Sequence, residues 1–330
     1  MRPEAEPFLA AHGFATARRE PLRSDASFRR YVRLRGGPCP ALLMDAPPPR
    51  EDVPPFLHVA SHLARIGLSA PEIIAADPAR GFLLIEDFGQ ATMADALDDG
   101  ADPAPLYGDA AATLAALHEA PPPAHLPPWG ATRMAETAAA TFLEWWWPET
   151  FGAPPSPAIV AAFHDAIRAM LAPFAASGFV HRDYFPANLV PLDRAGARRM
   201  GLLDFQDAAH GHPAYDLVSL VEDARRDVDP ALREATIAAY LAHRPGLDEG
   251  AFRAAMAALA AQRHLRVAAL WVRLARRDGK PGYLKHGPRC WALLARALEH
   301  DAAAPLRAFL DAHVPPAMRR TPPSLQDPPA

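Results

Sequence analysis

Three oxygen-bearing side chains recur at short intervals in the middle of this chain: Asp183, Asn188 and Asp204. The first two lie in His181-Arg182-Asp183-Tyr184-Phe185-Pro186-Ala187-Asn188, and the third ends the apolar run Met200-Gly201-Leu202-Leu203. Phosphoryl transfer from a nucleotide needs a carboxylate to orient an attacking hydroxyl and accept its proton. It also needs an amide oxygen and a second carboxylate to hold magnesium on the phosphates. Asp183 suits the first role, Asn188 and Asp204 the other two. A chance His-Arg-Asp in a polar turn is the duller reading of the first half. Both halves in this order point instead to phosphorylation of a small molecule.

The flanking residues suggest how these groups are held. Gly178-Phe179-Val180 reads as a short strand that delivers His181 into a tight loop, and Leu189-Val190 leaves it as another. Met200 to Leu203 is the expected partner strand carrying Asp204. His181 is expected to support the loop by hydrogen bonding backbone. Pro213-Ala214-Tyr215-Asp216-Leu217-Val218 opens a helix, in which Asp216 reads as an ordinary first-turn acid favoured by the helix dipole; resemblance to protein-kinase-like folds implies instead that it braces the loop by hydrogen bonding its backbone.

The rest of the chain divides by periodicity. Phe28 to Leu34 alternates as a strand, Gly36-Gly37-Pro38 turns, and Ala41 to Met44 returns. Val53 to Ile66 has an apolar stripe at helical spacing, and two more strands follow at Ile73-Ile74 and Gly81 to Ile85. Beyond residue 89 the pattern is mostly helical: 106–118, 132–147, 159–175, 232–242, 251–277 and 290–298. The proline-rich end, 313–330, has no periodic apolar face and is expected to lack fixed structure.

Composition sets limits on partners. The 330 residues are 50% hydrophobic and 22% charged, with a formal net charge of -4. That balance offers no overall field for nucleic acid. Two cysteines, Cys39 and Cys290, are too few for a disulfide framework and lack metal-ligand spacing. The first residues lack the apolar run of a secretory signal, and no segment approaches a membrane span. The expectation is a cytoplasmic protein with neither nucleic acid nor membrane as partner, its oligomeric state open.

His181 to Asn188 followed by Asp204-Phe205 resembles the protein-kinase pattern H-R-D-x-x-x-x-N followed by D-F. Together with Tyr215-Asp216-Leu217 it resembles the aminoglycoside phosphotransferase-like family, small-molecule kinases built on the protein-kinase fold. Three stretches are similar to the anomeric kinases of N-acetylmuramate and N-acetylglucosamine in peptidoglycan recycling: Leu43 to Pro48, Leu202 to Asp207 with Tyr215 to Val228, and Arg277 to Tyr283. The resemblance implies an α+β, bilobal protein-kinase-like fold, with a small β-rich N-terminal lobe holding one helix and a larger, mostly helical C-terminal lobe. Its divisions would be a nucleotide-binding lobe at 1–88, a catalytic and substrate lobe at 89–312, and the tail at 313–330. It further implies ATP and magnesium as cofactors, an amino-sugar substrate and transfer to its C1 hydroxyl, giving the sugar 1-phosphate. Glu86 and Asp87 would then sit at the hinge, where backbone groups read the adenine edge; a plain surface turn is the alternative.

Two departures stand out. No glycine-rich phosphate loop is present; Arg23-Ser24-Asp25-Ala26-Ser27-Phe28 takes its place, and Ser24 and Ser27 are candidates for phosphate contact unless this is an ordinary polar turn. No lysine falls near Met44-Asp45, where one usually grips the phosphates; the two lysines are Lys280 and Lys285. Arg29 or Arg30 is the candidate replacement. For the acceptor, one of three adjacent tryptophans, Trp146, is a candidate sugar platform. Gln206, Glu222, Asp223 and Arg225 are candidates for hydroxyl contacts. Arg225, Arg263, Arg273 and Lys280 are candidates for a substrate carboxylate, each also readable as a solvated helix charge. Another acceptor of aminoglycoside, choline or homoserine type, or an ATP-binding module without turnover, remains as an alternative.

Overall fold

In the computed structural model, residues 1–22, 28–89 and 91–325 are described. The chain begins with α1 (Ala5–Ala11), β1 (Arg18–Pro21), β2 (Arg30–Arg35), β3 (Ala41–Asp45), α2 (Pro54–Arg65), β4 (Ile73–Asp77) and β5 (Phe82–Glu86). Next come α3 (Met93–Asp98), α4 (Pro103–Glu119), β6 (Pro128–Trp129), α5 (Ala131–Thr141), a π-helical turn at Phe142–Trp146, α6 (Trp147–Phe151) and α7 (Pro157–Leu171). Short strands β7 (Gly178–Val180), β8 (Leu189–Pro191), β9 (Met200–Leu202) and β10 (Ala209–Gly211) precede the helices α8 (Ala214–Val221), α9 (Pro230–Ala242), α10 (Glu249–Arg277), α11 (Gly287–Ala297) and α12 (Ala304–His313). The architecture is α+β. No helix among the described residues is long and apolar enough to cross a membrane.

Two compact units emerge, each assembled from two chain segments: residues 1–123 with 186–208, and residues 124–185 with 209–330. The division at Phe185/Pro186 falls inside the His181 to Asn188 motif.

In the first unit β1 to β5 form an antiparallel sheet of order β1-β2-β3-β5-β4. The registers Val32↔Leu43 and Leu43↔Leu84 follow from the two-residue period of strands, which puts alternate side chains on one face. Val32, Leu34, Ala41, Leu43, Phe82 and Leu84 line that face and bury against Phe8, Leu9 and Phe14. Residues 1–88 hold two helices rather than the single one expected. The missed one, α1, is only seven residues long with no side-chain cap, yet Phe8 stacks on Phe82 at 5.9 Å between centroids. Tertiary burial, not propensity, holds so short a helix.

In the second unit α10 runs for 29 residues, roughly 43 Å at the α-helical rise. It packs against α5, α7, α8 and α11. Polar side chains pin it from within: Gln262 Nε2 donates to the Met134 carbonyl at 2.9 Å, and Arg263 Nε to Ser219 Oγ at 2.8 Å. The helix expected across 132–147 is divided. Pro148 has no N–H to continue the ladder, and the Trp147 N–H reaches back five residues to the Phe142 carbonyl, giving the π turn. At the proline-rich end, Trp146 Nε1 donates to the Arg320 carbonyl at 2.8 Å, Arg319 pairs with Asp311 at 2.6 Å, and Thr321 is buried.

Candidate active site

The loop bearing Asp183 belongs to the second unit. Strand β7 pairs antiparallel with β10, which pairs in parallel with β6. Immediately after β7 the chain turns sharply, with Arg182 at φ +75°. A non-glycine residue in that region carries strain that its surroundings must offset. Asp216 does so. Fully buried in the first turn of α8, its Oδ2 accepts the His181 N–H at 2.6 Å and its Oδ1 the Arg182 N–H at 2.9 Å. The Arg182 guanidinium lies over the Trp129 ring at 4.1 Å. Tyr184 is fully buried, and burial, reinforced by the charge of Asp216, holds its hydroxyl well above the ordinary tyrosine range.

His181 stabilises this loop differently from expectation. Its ring is fully buried and meets Tyr184 edge-on at 5.7 Å, and neither ring nitrogen has a hydrogen-bond partner among the described residues. The ring makes none of the backbone hydrogen bonds expected of it among the described residues; Asp216 takes the loop N–H groups, and His181 contributes packing. Arg266, one of the α10 residues facing this loop, donates from Nη2 to Tyr215 Oη at 3.1 Å. Burial works against its charge, yet Tyr215 and Asp183 together raise its pKa above the ordinary value. A cation therefore persists within electrostatic reach of Asp183.

Asn188 and Asp204 belong to the first unit, where the β8–β9 ladder brings them to one end. Leu189 pairs with Leu202, and the Leu203 N–H donates to the Asn188 carbonyl at 2.9 Å. Asp204 is exposed, left-handed at φ +58°, and its Oδ1 accepts from Gln206 Nε2 at 2.8 Å. Gln206, expected at the substrate, thus orients the Asp204 carboxylate. The hairpin is anchored where the Leu202 N–H donates to the Ser69 carbonyl at 2.7 Å. Gly201 admits the Phe88 ring, which a Cβ would meet at 2.6 Å.

Arg29 sits one residue before β2, its Nε 3.2 Å from Glu51 Oε2, with both side chains largely buried. The other Glu51 oxygen accepts the Phe28 N–H at 2.8 Å. Tyr31 shares this corner: burial raises its pKa, opposed by the charge and hydrogen bond of Arg29, while Asp204 and Glu51 push it further up. Neither Glu51 nor Tyr31 was singled out by sequence; the only sign of Glu51 is an acid inside the proline-rich break before α2. Ser24 and Ser27 lie outside the described residues. On β3, Asp45 is committed to Arg2, whose Nε lies 2.7 Å from Oδ1.

Glu86 and Asp87 are both ion-paired. Glu86 meets Arg194, which also donates to Ser69 Oγ at 2.9 Å, and Asp87 meets Arg33 Nε at 2.6 Å with both side chains nearly buried. Their amide hydrogens go to the carbonyls of Glu72 and Pro40.

Two acceptor candidates are reassigned. Trp146 is fully buried, stacks on Phe142 at 4.7 Å and hydrogen bonds the Arg320 carbonyl, so it is a core residue rather than a sugar platform. The π turn directs it and Trp147 inward and leaves Trp145 partly exposed. Glu222 is buried and saturated: Oε1 takes Arg233 at 2.7 Å and Arg296 at 2.9 Å, and Oε2 takes His264 Nε2 at 2.7 Å. Burial alone would raise its pKa, but His264 and the two arginines overcome it and hold the carboxyl at about 2. Burial pushes His264 down, so the pair is a carboxylate accepting from a neutral imidazole. Arg263 is buried against Ser219. Arg225, by contrast, lies over Phe185 at 4.7 Å and Trp271 at 5.7 Å, beside the loop bearing Asp183. No group of three or more His, Cys, Asp or Glu side chains that could hold a metal alone occurs among the described residues.

The loop bearing Asp183, braced by Asp216, in the second unit and the hairpin end bearing Asn188 and Asp204 in the first each carry residue types that phosphoryl transfer uses. The chain belongs to the phosphotransferase enzyme family, whose model matches residues 18–253. An N-acetylmuramate/N-acetylglucosamine kinase of Caulobacter vibrioides is 39% identical, across 95% of this chain and 96% of that one. A Pseudomonas aeruginosa protein of the same name is 35% identical, covering 84% and 83%. Among solved structures, a choline/ethanolamine kinase family protein from Mesorhizobium loti superposes with a TM-score of 0.64 at 16% identity, covering 94% and 98%. An ADP-bound aminoglycoside phosphotransferase gives 0.58 at 12%, covering 90% and 99%. These likenesses establish a protein-kinase-like fold shared by small-molecule kinases, and the chain is an enzyme of that kind.

Proposed function

We propose that this enzyme transfers the γ-phosphoryl group of ATP to the anomeric C1 hydroxyl of N-acetylmuramate, N-acetylglucosamine or both, releasing the sugar 1-phosphate. The observation that carries this reading is the 39% identity, over nearly the whole of both chains, to a kinase named for those two sugars. The chemistry of the site supports it. Asp183 accepts the proton of the C1 hydroxyl, on a loop whose geometry Asp216 holds. An anomeric hydroxyl is more acidic than an ordinary alcohol, so modest assistance from a carboxylate suffices, and positioning supplies most of the rate.

Asn188 and Asp204 offer the oxygen donors that magnesium prefers, one amide and one carboxylate at the same hairpin end, with Gln206 fixing the latter. Bound magnesium would neutralise charge on the phosphates. Residues 1–88 serve as the nucleotide-binding lobe, with Ser24, Ser27 and Arg29 toward phosphate and the backbone at Glu86 and Asp87 toward adenine. Residues 89–312 form the catalytic and substrate lobe, and 313–330 the tail. Arg225, on the aromatic surface beside the loop, contacts the sugar. The enzyme acts in the cytoplasm, in cell-wall recycling, with no nucleic-acid or membrane partner.

The test is ADP release across free amino sugars, their 1-O-methyl glycosides, alditols, choline and aminoglycosides. Turnover with the reducing sugars and none with the 1-O-methyl glycosides is expected. Equal turnover of the glycosides, or activity confined to choline or an aminoglycoside, would overturn the assignment.

A further inference from the structure

On and around α10, arginines are matched with acids. Arg276 meets Glu149, Arg277 Nε lies 2.8 Å from Asp278 Oδ1, and Arg253 Nε lies 2.8 Å from Glu249 Oε1. Arg273 differs. It is half-buried, makes no ion pair among the described residues, and its Nε is buried without a hydrogen-bond partner. Arg266 stands seven residues earlier, almost two full turns, and so on the same helix face. Its Nη2 donates to Tyr215 Oη at 3.1 Å, while its Nε too is buried and unpartnered. Burial lowers the pKa of Arg273, and the like charges of Arg277 and Arg266 lower it further, outweighing Asp278 and Glu144. A cation so placed, with no acid against it, is costly, and an anionic ligand removes that cost.

We propose that Arg273, with Arg266 beside it on α10, receives the lactyl carboxylate of N-acetylmuramate and sets how strongly the enzyme takes that sugar over N-acetylglucosamine. The inference deepens the acceptor half of the function proposed above and rests on that reading. Arg266 lies within the field of Asp183, so the two arginines lead away from that loop along one helix face. With the C1 hydroxyl at Asp183, the lactyl group, borne on C3, falls on the far side of the ring. N-acetylglucosamine carries only a hydroxyl there. Arg266, tied to Tyr215, contributes fixed charge, and the planar fork of Arg273 suits two carboxylate oxygens. The other carboxylate candidate on α10, Arg263, donates to Ser219 inside the core.

The experiment measures kcat and KM by ADP release, on the full chain with saturating Mg·ATP, for N-acetylmuramate, its lactyl carboxamide and N-acetylglucosamine. Arg273→Gln should raise the KM for N-acetylmuramate about ten- to a hundredfold, the loss of one or two charge-assisted hydrogen bonds. The KM for N-acetylglucosamine should stay within about twofold, and kcat for both sugars likewise. The wild type should lose the same factor from acid to carboxamide, and Arg273→Gln should no longer distinguish the two, as a double-mutant cycle requires of a direct contact. Arg273→Lys should recover part of the loss, since a point charge replaces the fork. Thermal melting identifies a variant that fails to fold; Arg273→Lys and the wild type's ratio of acid to carboxamide then carry the test. An unchanged KM for N-acetylmuramate in Arg273→Gln, or equal losses for both sugars, overturns the inference. A wild type that takes acid and carboxamide alike, or N-acetylglucosamine alone, overturns it as well. A wild type that phosphorylates neither sugar refutes the proposed function itself, and the inference with it.

Discussion

Removing the Asp216 carboxylate should unlock the loop that presents Asp183. In the native protein this fully buried side chain accepts two backbone N–H groups, from His181 at 2.6 Å and Arg182 at 2.9 Å. Hydrogen bonds to a charged group are worth about 1.5–3 kcal/mol each, so Asp216→Ala stands to lose about 3–5 kcal/mol once some water enters. Part of that loss releases the left-handed backbone of Arg182, which relaxes when its N–H is no longer held. Asp216→Asn retains one acceptor oxygen and turns an amide NH₂ toward the other donor, for a cost of about 2–3 kcal/mol.

In a body of this size each kcal/mol lowers the midpoint by about 2–4 °C, so the alanine variant should melt about 8–15 °C lower. Turnover should fall further than stability implies, because a displacement of about 1 Å at Asp183 costs roughly a hundredfold in rate. Calorimetric melting, paired with kcat and the KM for ATP at a temperature where both variants are folded, separates the effects. A fall in kcat with an unchanged KM for ATP is expected. If Asp216→Ala melts within about 1 kcal/mol of the wild type and turns over normally, the loop is held by something else.

Glu222 should give stability a specific acid dependence. Its carboxyl lies near 4.5 when unfolded and about 2 when folded, so its contribution, about 3 kcal/mol, is complete above pH 4.5 and lost as pH falls toward 2. Glu222→Gln should be less stable at pH 7 and lose that stretch of the pH profile; an unchanged profile would contradict the assignment. Trp146→Phe should lose about 1 kcal/mol with its hydrogen bond to the Arg320 carbonyl, measured by urea unfolding. The sugar KM should not move, and a severalfold rise would restore Trp146 to the substrate site.

Much of this was legible before any coordinates, for identifiable reasons. Strand β2 declares itself by the alternation from Tyr31 to Leu34 and β3 by its short apolar run Ala41 to Met44, and α2 and α10 because their apolar positions recur at helical spacing. The Asp183, Asn188 and Asp204 pattern stands out in the sequence because those oxygen-bearing types at that spacing are what phosphoryl transfer would use. What escaped depends on distant partners. Glu222 reads as a polar residue near the site until α9, α10 and α11 supply Arg233, His264 and Arg296 around it. Trp146 reads as a platform until the π turn before Pro148 shifts its facing. Arg29 and Arg33 are alike in sequence, four residues apart, yet one meets Glu51 and the other Asp87. Edge strand β1, with two arginines and a glutamate before Pro21, offers no apolar alternation to find.

Asp183→Asn decides the central claim most directly, because it preserves size and removes only the ability to accept a proton. Steady-state ADP release with N-acetylmuramate, alongside calorimetric Mg·ATP binding, should show turnover reduced at least a hundredfold while nucleotide affinity stays within about twofold of the wild type. Turnover near the wild-type rate, with ATP still bound, would mean that another group takes the proton and that the account of this site is wrong.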